Sequence, residues 1–383
     1  MTTTGTTLTA RRLVTGVGMI EYPVVQVGED GRIAEIFSDT SIKGDETLTS
    51  AFLDVHTHGA AGHDVMEGTA EALGVIGRFY AGRGVGSYLA TTVTAPMDGT
   101  LRSLAGLAGV VERAAGEGVG RGEARPIGVH LEGPFVSHGK RGVHPVASIV
   151  APTMGVFERM WEASRGTIRL MTIAPEVPGA LEVIGRAVEL GARVSLGHTN
   201  ATAAEARAGV AAGAVSATHT FNAMRALDHR EPGVLGVVLD DAEMYAELIC
   251  DGVHVAPEMV RMWLRMKGEE RTILVTDSMA AAGMPDGEYS LGGLPVEVRD
   301  GVCMAGGALA GSVLTMDRAV ERVREFTGCG FEVAVRMASA NPARMLGVSG
   351  IGEVRVGEWA DLNRFDADGR LVGTYLRGEA VGA

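Results

Sequence analysis

Short runs of apolar and β-branched residues alternate with alanine-rich stretches along most of the chain. The apolar runs predict eight strands, at Ala51–His58, Val85–Val93, Pro126–Glu132, Ile168–Ala174, Arg193–His198, Ala214–His219, Tyr245–His254 and Thr272–Asp277. The other stretches predict helices, at Ala70–Gly82, Leu101–Ala115, Met154–Ala163, Ala180–Leu190, Thr202–Ala211, Pro257–Lys267 and Thr315–Thr327. Strands that alternate with helices pair in parallel, and eight such units predict an α/β protein built as a (β/α)8 TIM barrel. An open, doubly wound sheet is the alternative, but no G-x-G-x-x-G segment opens a helix after the first strand.

The two ends of the chain have a different pattern. Residues Thr7–Ile36 and Glu353–Arg377 contain short alternating strands separated by glycine turns, which is typical of hairpins. We therefore expect one small β domain with its first half in residues 1–50 and its second half in residues 350–383. The barrel would span residues 51–349, with a hairpin, Glu288–Met304, inserted near residues 286–305.

The composition indicates a folded protein and excludes several partners. Hydrophobic residues make up 46% of the 383, which is too many for a disordered chain. The 34 basic and 47 acidic residues give a formal charge of −13, which disfavours binding to nucleic acid or to an anionic membrane through bulk charge. No apolar run approaches the ~18 residues of a membrane span.

The cysteine content and the N-terminal residues of the sequence indicate the cellular compartment in which the protein is expected. The three cysteines are far apart in the sequence, so neither a disulfide framework nor a cysteine zinc site is predicted. Met1–Val14 is rich in threonine and lacks the apolar core of a signal peptide. These features predict a cytoplasmic protein.

Histidines and carboxylates fall at the ends of the predicted strands. The residues concerned are His56, His58, Glu132, His198, His219, His254 and Asp277. Because the carboxyl ends of barrel strands share one face, these side chains are expected around one mouth. His56 and His58 are two positions apart and therefore project to the same side of a strand, as two ligands of a divalent ion would. An isolated pair of this kind, or a lone histidine such as His198, is more often structural; the small residues before His198 and His219 leave room for an ion.

The carboxylates can be assigned by elimination and by context. None of the three lysines, Lys43, Lys140 and Lys267, lies at a strand end, so a carbamylated lysine that bridges two metals is not available. Glu132 is the carboxylate best placed for that task, and a loop glutamate bound to backbone is the alternative. Asp277 could bind a metal and exchange a proton with water, or it could cap a helix.

Two loops carry further polar candidates. His138, Lys140, Arg141 and His144 follow the third strand and could face an anion or a developing oxyanion, or simply be solvated. Asn222-Ala223-Met224, Arg230 and Asp251–His254 lie just beyond the sixth and seventh strands, at a rim that often binds phosphate in barrels.

These residues occur within motifs that resemble the amidohydrolase superfamily, and more closely its N-acetylglucosamine-6-phosphate deacetylases. The motifs are Phe52-Leu53-Asp54-Val55-His56-Thr57-His58-Gly59, His130-Leu131-Glu132-Gly133-Pro134-Phe135, Leu196-Gly197-His198-Thr199, Ala217-Thr218-His219-Thr220-Phe221-Asn222-Ala223-Met224, Arg230-Glu231-Pro232-Gly233, Asp251-Gly252-Val253-His254, Val275-Thr276-Asp277 and Leu309-Ala310-Gly311-Ser312. The resemblance covers nearly the whole chain. One departure is visible, since polar Asn363 and Arg364 stand where an apolar strand is expected.

The resemblance implies a barrel joined to a small β-sandwich, usually as a homodimer whose phosphate pocket draws on the neighbouring subunit. It implies that Glu132, His198 and His219 bind the main metal ion and that His56 and His58, with Asp277, bind a second one, with zinc or iron as the expected metals. The implied substrate contacts are Val143, His144, Asn222, Ala223, Arg230, Asp251, Gly252, Val253, His254, Leu309, Ala310 and Gly311.

The reaction implied by this resemblance is deacetylation of N-acetylglucosamine 6-phosphate by a metal-bound hydroxide, in amino-sugar catabolism. Asp277 would shuttle the proton and His144 would help to stabilise the oxyanion, while Arg230 and His254 would hold the phosphate. The alternatives are the galactosamine substrate, a cyclic-amide hydrolase of the same superfamily, and a barrel without activity that serves in interactions. A barrel without activity would be expected to have lost some of its metal-binding residues, and none of these residues is missing from this sequence.

Overall fold

The computed structural model describes residues 4–16 and 18–382 of the chain. Residues 1–3, 17 and 383 fall within the two halves predicted for the terminal β domain and lie outside the described residues. Among the described residues, no helix combines the length and the apolar character needed to cross a membrane.

Eight parallel strands form the barrel, so the predicted fold class is confirmed. They pair in chain order, and the first and eighth approach each other at an isolated bridge between Thr57 and Ser278. The strands are Phe52–Thr57, Val85–Thr92, Arg125–Glu132, Ile168–Ile173, Arg193–Leu196, Ser216–Ala217, Tyr245–Ile249 and Thr272–Val275. The strand Val85–Thr92 is buried along its whole length, as expected of a strand covered on both faces.

Four of the strands end at least two residues earlier than the sequence predicts. The fifth, sixth, seventh and eighth strands end at Leu196, Ala217, Ile249 and Val275, whereas the predicted ends were His198, His219, His254 and Asp277. Three of these four residues have a positive φ, and the left-handed backbone there cannot continue a strand.

Helices cover the outside of the barrel. They span Ala70–Ala81, Met97–Gly116, Met154–Ala163, Ala180–Glu189, Ala203–Ala211, Gly233–Asp240, Pro257–Lys267, Met316–Thr327, Phe331–Met337 and Ala340–Leu346. Short 3-10 helices occupy Val65–Glu67, His138–Lys140 and Val146–Ser148. The helix Gly233–Asp240 was not predicted, because its run of glycine, valine and leucine lacks a helical period.

Both chain ends build the sandwich domain. A six-stranded sheet contains, in spatial order, Glu379–Ala380, Leu371–Leu376, Leu362–Phe365, Thr47–Ser50, Arg12–Val14 and Met19–Glu21. A three-stranded sheet contains Thr4–Thr9, Pro23–Gly28 and Ile33–Ser38. Leu13, Val25, Leu48 and Leu362 are in the shared core, which therefore combines residues from both ends of the chain.

The polar residues Asn363 and Arg364 each have a structural partner. The Asn363 side chain is fully buried and donates from Nδ2 to the Gly84 carbonyl at 2.9 Å, which ties the sandwich to the barrel. Arg364 forms an ion pair with Glu46, which directly precedes the neighbouring strand Thr47–Ser50.

The segment after the eighth strand is larger than the predicted hairpin. It is a four-stranded antiparallel sheet of Gly287–Leu291, Leu294–Arg299, Val302–Ala305 and Ala308–Leu309. Its apolar face packs on Val93 and Met279 beside the mouth of the barrel, and a small ladder of Gly59–Ala60 and His63–Asp64 lies nearby. The inserted sheet therefore brings Leu309 to the edge of the mouth.

Candidate active site

The residues at the strand ends are turned toward the barrel axis by unusual backbone conformations. His198, His219 and Asp277 each lie two positions beyond the last residue of their strand. Their φ angles are 47°, 29° and 50°, in the left-handed region that side chains other than glycine rarely adopt. Such conformations persist where the surrounding structure enforces them, and they are frequent at functional sites.

Glu132, His198 and His219 form one group of converging side chains. Oε1 of Glu132 lies 3.2 Å from Nε2 of His198 and 3.2 Å from Nε2 of His219. The two Nε2 atoms are 3.0 Å apart, and all three residues are buried. Ligand atoms of the three residues thus lie within 4.8 Å of one another, as a shared ion requires.

His56, His58 and Asp277 form a second group with the same property. Oδ1 of Asp277 is 3.1 Å from Nε2 of His58 and 3.5 Å from Nε2 of His56. Glu132 lies between the groups, because Oε2 is 3.3 Å from His58 and Oε1 is 3.4 Å from His56. One glutamate therefore contacts four histidines, two from each group, and its role as a metal bridge stays a prediction.

Second contacts fix the orientation of the rings. Nδ1 of His58 donates to the Thr91 carbonyl and Nδ1 of His198 donates to the Lys140 carbonyl, both at 3.1 Å. These bonds hold the proton on Nδ1 and leave Nε2 as the atom that can bind a cation. His56 is oriented in the same way by Glu247, whose Oε2 lies 3.0 Å from Nδ1.

Glu247 is a supporting residue of the site that the sequence did not predict. It is fully buried in the seventh strand, and its Oε2 also accepts the backbone N–H of His219 at 3.2 Å. It therefore supports one histidine from each group. The signal was present in the sequence, since a glutamate inside the apolar run Tyr245–Ile249 needs a buried partner.

Asp54 is a further buried acid that was not singled out. Its side chain accepts the Thr276 hydroxyl at 2.6 Å and the backbone N–H of His56 at 3.2 Å. Burial raises the pKa of Asp54 to about 7, and the hydrogen bonds from Thr276 and His56 act against that rise. It ties the first strand to the eighth beneath the mouth.

The electrostatics of the site favour a cation at the centre. Burial would raise the pKa of Glu132, but the charge of His56 and the hydrogen bonds from His198 and His219 hold it well below its usual value. Asp277 behaves in the same way, and His56 and His58 lower its pKa. Burial acts to lower the pKa of His58, yet its bonds to Asp277 and Glu132 raise it to about 9. Both carboxylates are therefore ionised, and positive charge on the histidines, or on an ion held between them, compensates these carboxylates.

The donor set fits a divalent metal ion. Nε2 of His56 is buried and has no hydrogen-bond partner among the described residues, although it points at two carboxylates. Imidazole nitrogens combined with carboxylate oxygens are ligands that suit zinc and iron. The two groups could thus hold one or two divalent ions with neutral imidazoles.

A cavity of about 260 Å³ opens above these groups. Of the residues predicted to contact substrate, seven line it: Val143, His144, Asn222, Ala223, His254, Leu309 and Gly311. Val93, Gly142, Leu291 and Ala308 line it as well and were not predicted. Ala310 is buried behind this wall. Asp251 and Val253 line an adjoining cavity, and Gly252 borders neither of the two.

The loop after the third strand contributes one side chain to the cavity. His144 is buried, and its Nδ1 lies 2.6 Å from the Thr94 hydroxyl. Burial, with the nearby charge of His198, holds the pKa of His144 well below its usual value. Arg141 instead donates to the His144 carbonyl at 2.9 Å, and neither it, His138 nor Lys140 lines the cavity.

The rim residues divide into two sets. His254 lines the cavity, and its Nδ1 is 2.7 Å from Asp251; burial acts to lower its pKa, but that contact raises it. Arg230 is exposed and does not line the cavity of its own chain. The structure therefore does not bring Arg230 together with the other predicted site residues.

Comparison with known proteins gives a consistent result. A sequence model described as the amidohydrolase family matches residues 47–381. The chain is 38% identical to an N-acetylgalactosamine-6-phosphate deacetylase of Escherichia coli O157:H7, over 97% of this chain and 98% of that one. It is also 38% identical to an N-acetylglucosamine-6-phosphate deacetylase of Lysinibacillus sphaericus, over 91% and 89% of the two chains.

A solved structure agrees with this similarity in sequence. The N-acetyl-D-glucosamine-6-phosphate deacetylase of Mycobacterium smegmatis superposes with a TM-score of 0.91 at 34% identity and covers 99% of this chain and 100% of its own. A variant of that enzyme was solved in complex with N-acetyl-D-glucosamine 6-phosphate at the same TM-score. The match in sequence, the barrel with its sandwich and the two ligand groups together show that this chain belongs to the amidohydrolase family.

Proposed function

We propose that this protein is a metal-dependent hydrolase that removes the acetyl group from N-acetylglucosamine 6-phosphate and releases glucosamine 6-phosphate and acetate. The observation that carries the proposal is the convergence of Glu132, His198 and His219 within 4.8 Å of one another at the barrel mouth. The similarity over 91% of the chain to a deacetylase of that name supports the substrate class.

Glu132, His198 and His219 would hold the main ion, and His56, His58 and Asp277 would hold a second one. A divalent ion at such a site acidifies water and polarises a carbonyl. The carboxylates supply negative charge, and the rings held by Glu247, Thr91 and Lys140 supply Nε2 without reorientation. Zinc and iron are the proposed metals because the donor set is mixed imidazole and carboxylate.

Asp277 is the proposed proton shuttle. Its Oδ1 faces His58, which leaves Oδ2 for the water that attacks the acetamide carbonyl. The carboxylate accepts a proton from this water and returns it to the nitrogen as the C–N bond breaks, so that acetate and a free amine are formed. The lowered pKa keeps Asp277 in the basic form before the attack.

His144 is the proposed donor to the oxyanion. In this role the neutral ring would accept the Thr94 hydroxyl at Nδ1 and carry its proton on Nε2, the atom that lies 3.9 Å from Oε2 of Glu132. A single donor aimed at a developing oxyanion contributes about 3–4 kcal/mol in other enzymes.

The sugar and its phosphate would occupy the cavity and its rim. Asn222, Ala223, Leu309 and Gly311 line the part of the cavity proposed for the sugar ring. His254, whose pKa is raised through Asp251, offers positive charge to the phosphate. Phosphate binding at the rim orients the amide at the centre.

Arg230 is proposed to complete the phosphate site of a partner subunit in a homodimer. Residues 226–230 are all exposed in the single chain, and the Arg230 guanidinium has no ion-pair partner among the described residues. Exposed Leu227 lies on the same segment, which is consistent with an interface.

Complementation tests the shared site. Mixing the inactive variants Arg230→Ala and Asp277→Asn should restore activity, because a mixed dimer contains one site with Asp277 from one chain and Arg230 from the other. Mixtures that stay as inactive as their components, although sedimentation shows a dimer, would contradict the shared pocket.

The galactosamine isomer is a second candidate substrate, since a relative of equal identity is a deacetylase of N-acetylgalactosamine 6-phosphate. Acetate release should be measured for both N-acetyl sugars, with and without the 6-phosphate, after loading with Zn²⁺ or Fe²⁺. Turnover of the glucosamine phosphate above all others supports the proposal. If the galactosamine phosphate is preferred, that sugar is the substrate of the enzyme. Hydrolysis of a cyclic amide alone would overturn the deacetylase assignment. The cytoplasmic location stays a prediction.

A further inference from the structure

The end of the second barrel strand contacts two histidines at the mouth through different chemical groups. The backbone carbonyl of Thr91, within the strand Val85–Thr92, accepts Nδ1–H of His58 at 3.1 Å. The side-chain hydroxyl of Thr94, two residues beyond the strand, lies 2.6 Å from Nδ1 of His144. A carbonyl oxygen can only accept a hydrogen bond, whereas a hydroxyl group can also donate one. The same strand end can therefore place the ring protons of the two histidines on different nitrogens.

The hydrogen bonds of Thr94 indicate which partner is the donor. Its side chain is buried, and the contact with His144 is the one hydrogen bond of its hydroxyl among the described residues. If Nδ1 of His144 carried the proton, the Thr94 oxygen would accept it and the buried hydroxyl hydrogen would have no acceptor, which is unfavourable. If the hydroxyl donates to Nδ1, both groups are paired and Nε2 carries the ring proton. Because buried polar groups are nearly always paired, the geometry favours the second arrangement.

The contact between Thr94 and His144 is fixed by the surrounding chain. The backbone N–H of His144 donates to the Arg141 carbonyl at 3.1 Å, and its carbonyl accepts from the Arg141 guanidinium at 2.9 Å. Gly133 leaves the space for the contact, because a Cβ there would lie 2.1 Å from the Thr94 hydroxyl oxygen and 3.3 Å from Nδ1 of His144. A larger residue at this position would therefore separate the two groups.

We propose that Thr94 is the positioning residue that makes His144 a hydrogen-bond donor instead of a further metal ligand. With its proton on Nε2, His144 presents an N–H on the side of Glu132, whose Oε2 lies 3.9 Å from that nitrogen. His58 donates from Nδ1 to a carbonyl, so its Nε2 presents a lone pair that suits a cation. The catalytic consequence rests on the proposed function, in which the N–H of His144 stabilises the oxyanion.

The test compares the zinc-loaded full chain in four forms: wild type, Thr94→Val, Thr94→Ser and the control Thr92→Val. Valine has nearly the shape of threonine without the hydroxyl group, and serine keeps the hydroxyl without the methyl group. Thr92 is buried on the same strand, and its hydroxyl lies 3.5 Å from the His130 carbonyl. The control therefore makes the same chemical change two residues earlier in the chain.

The first measurement is the position of the ring proton. In protein labelled with ¹⁵N at its ten histidines, the nitrogen chemical shifts of a neutral ring distinguish the N–H from the unprotonated nitrogen. The signals of His144 are identified by their loss in His144→Gln. Wild type, Thr94→Ser and Thr92→Val should show the proton of His144 on Nε2, whereas Thr94→Val should show it at least partly on Nδ1.

The second measurement is the rate of acetate release. Thr94→Val should lower kcat at least about tenfold, and at most by the roughly 10²–10³-fold that loss of an oxyanion donor costs, with little change in KM. Thr94→Ser should recover most of this loss, and Thr92→Val should cause none. When His144 is already replaced by glutamine, adding Thr94→Val should lower kcat no further, because Thr94 acts through that ring.

Three outcomes would overturn the proposal. The first is a wild-type His144 ring that carries its proton on Nδ1. The second is a Thr94→Val protein in which the ring proton stays wholly on Nε2 or kcat stays at the wild-type value. The third is a loss of kcat in Thr94→Ser or Thr92→Val as large as that in Thr94→Val, which would make the effect one of packing. If wild type releases no acetate from either N-acetyl sugar phosphate, the proposed function fails, and the ring proton still decides whether Thr94 sets the state of His144.

Discussion

The third barrel strand, Arg125–Glu132, joins two regions that handle buried charge in opposite ways. At its carboxyl end, Glu132 lies within 3.4 Å of four histidines, so that the buried charges compensate one another. At its amino end, about 23 Å away for seven residue steps, the partly buried Arg125 interacts with Asp361 of the sandwich domain, while the charges of Arg377 and Arg32 act in the opposite direction on its pKa. The comparison teaches that the charged groups at the carboxyl end converge as ligands of a cation would, whereas those at the amino end act between the barrel and the sandwich domain.

The largest effect is expected when the charge of Glu132, at the carboxyl end of this strand, is removed. Glu132→Gln retains the size of the side chain but takes away the carboxylate that contacts both histidine groups. We expect both metal groups to be weakened by more than the 10–100-fold that follows loss of a supporting residue, and turnover to become undetectable. Metal analysis after dialysis and acetate release measure the two effects. A variant that keeps its full metal content would contradict the bridging position.

The matched pair Asp277→Asn and Asp361→Asn makes the same chemical change at the two ends of the barrel. Asp277→Asn should retain at least the metal at Glu132, His198 and His219 while kcat falls about 10²–10⁴-fold, the usual contribution of a proton-transfer group. Asp361→Asn should leave kcat unchanged, because the amide oxygen can still accept the Arg377 N–H.

Kinetics and metal content of both variants check this pair. Near-normal turnover by Asp277→Asn would show that Asp277 does not carry the proton in the reaction. A large loss of kcat in Asp361→Asn would show that the two ends of the barrel are coupled, and the distinction between them would fail.

A smaller effect is expected at Glu247, which supports the site without reaching the cavity. Glu247→Gln keeps an acceptor and a similar volume but removes the charge that orients His56 and holds the backbone of His219. Metal affinity should fall about 10–100-fold, and saturating metal should restore most of the activity. Rescue by metal distinguishes positioning from catalysis. A loss of kcat that added metal does not restore would instead mean that Glu247 takes part in the reaction itself.

The two ends differ also in how far the sequence could predict them. The histidines at the mouth were predicted because barrel topology brings strand ends together whatever their separation in the chain. The supporting hydrogen bond between Glu247 and His56 was not predicted. It joins residues 191 positions apart, and Glu247 lies inside an apolar strand. The strands end two residues before His198 and His219 because of the local backbone angles there, and a pattern of apolar and polar residues does not predict these angles.

The amino end was beyond prediction for a different reason. The cavity beside Arg125 is lined by the start of a barrel strand, by the glycine-rich loop Val119–Glu123 and by the hairpin that contains Arg377, so its contacts exist only after both domains have formed. The same holds for Asn363, which looked out of place in an apolar strand. Its bond to the Gly84 carbonyl explains it, since a buried amide is tolerated when it satisfies a backbone group of the neighbouring domain.

The smallest effect on activity is therefore expected from Asn363→Ala. The substitution takes one of two donors from the Gly84 carbonyl, which still accepts the Phe52 N–H, and it also removes an Oδ1 atom that has no partner among the described residues. The two changes offset each other in part, so we expect a loss of about 1–2 kcal/mol in the free energy of unfolding. The kcat and KM values should stay at those of wild type, because the residue lies at the end of the barrel away from the mouth. Urea unfolding and acetate release measure the two quantities. A changed KM with unchanged stability would mean that the sandwich domain shapes the mouth, which its position at the start of the strands argues against.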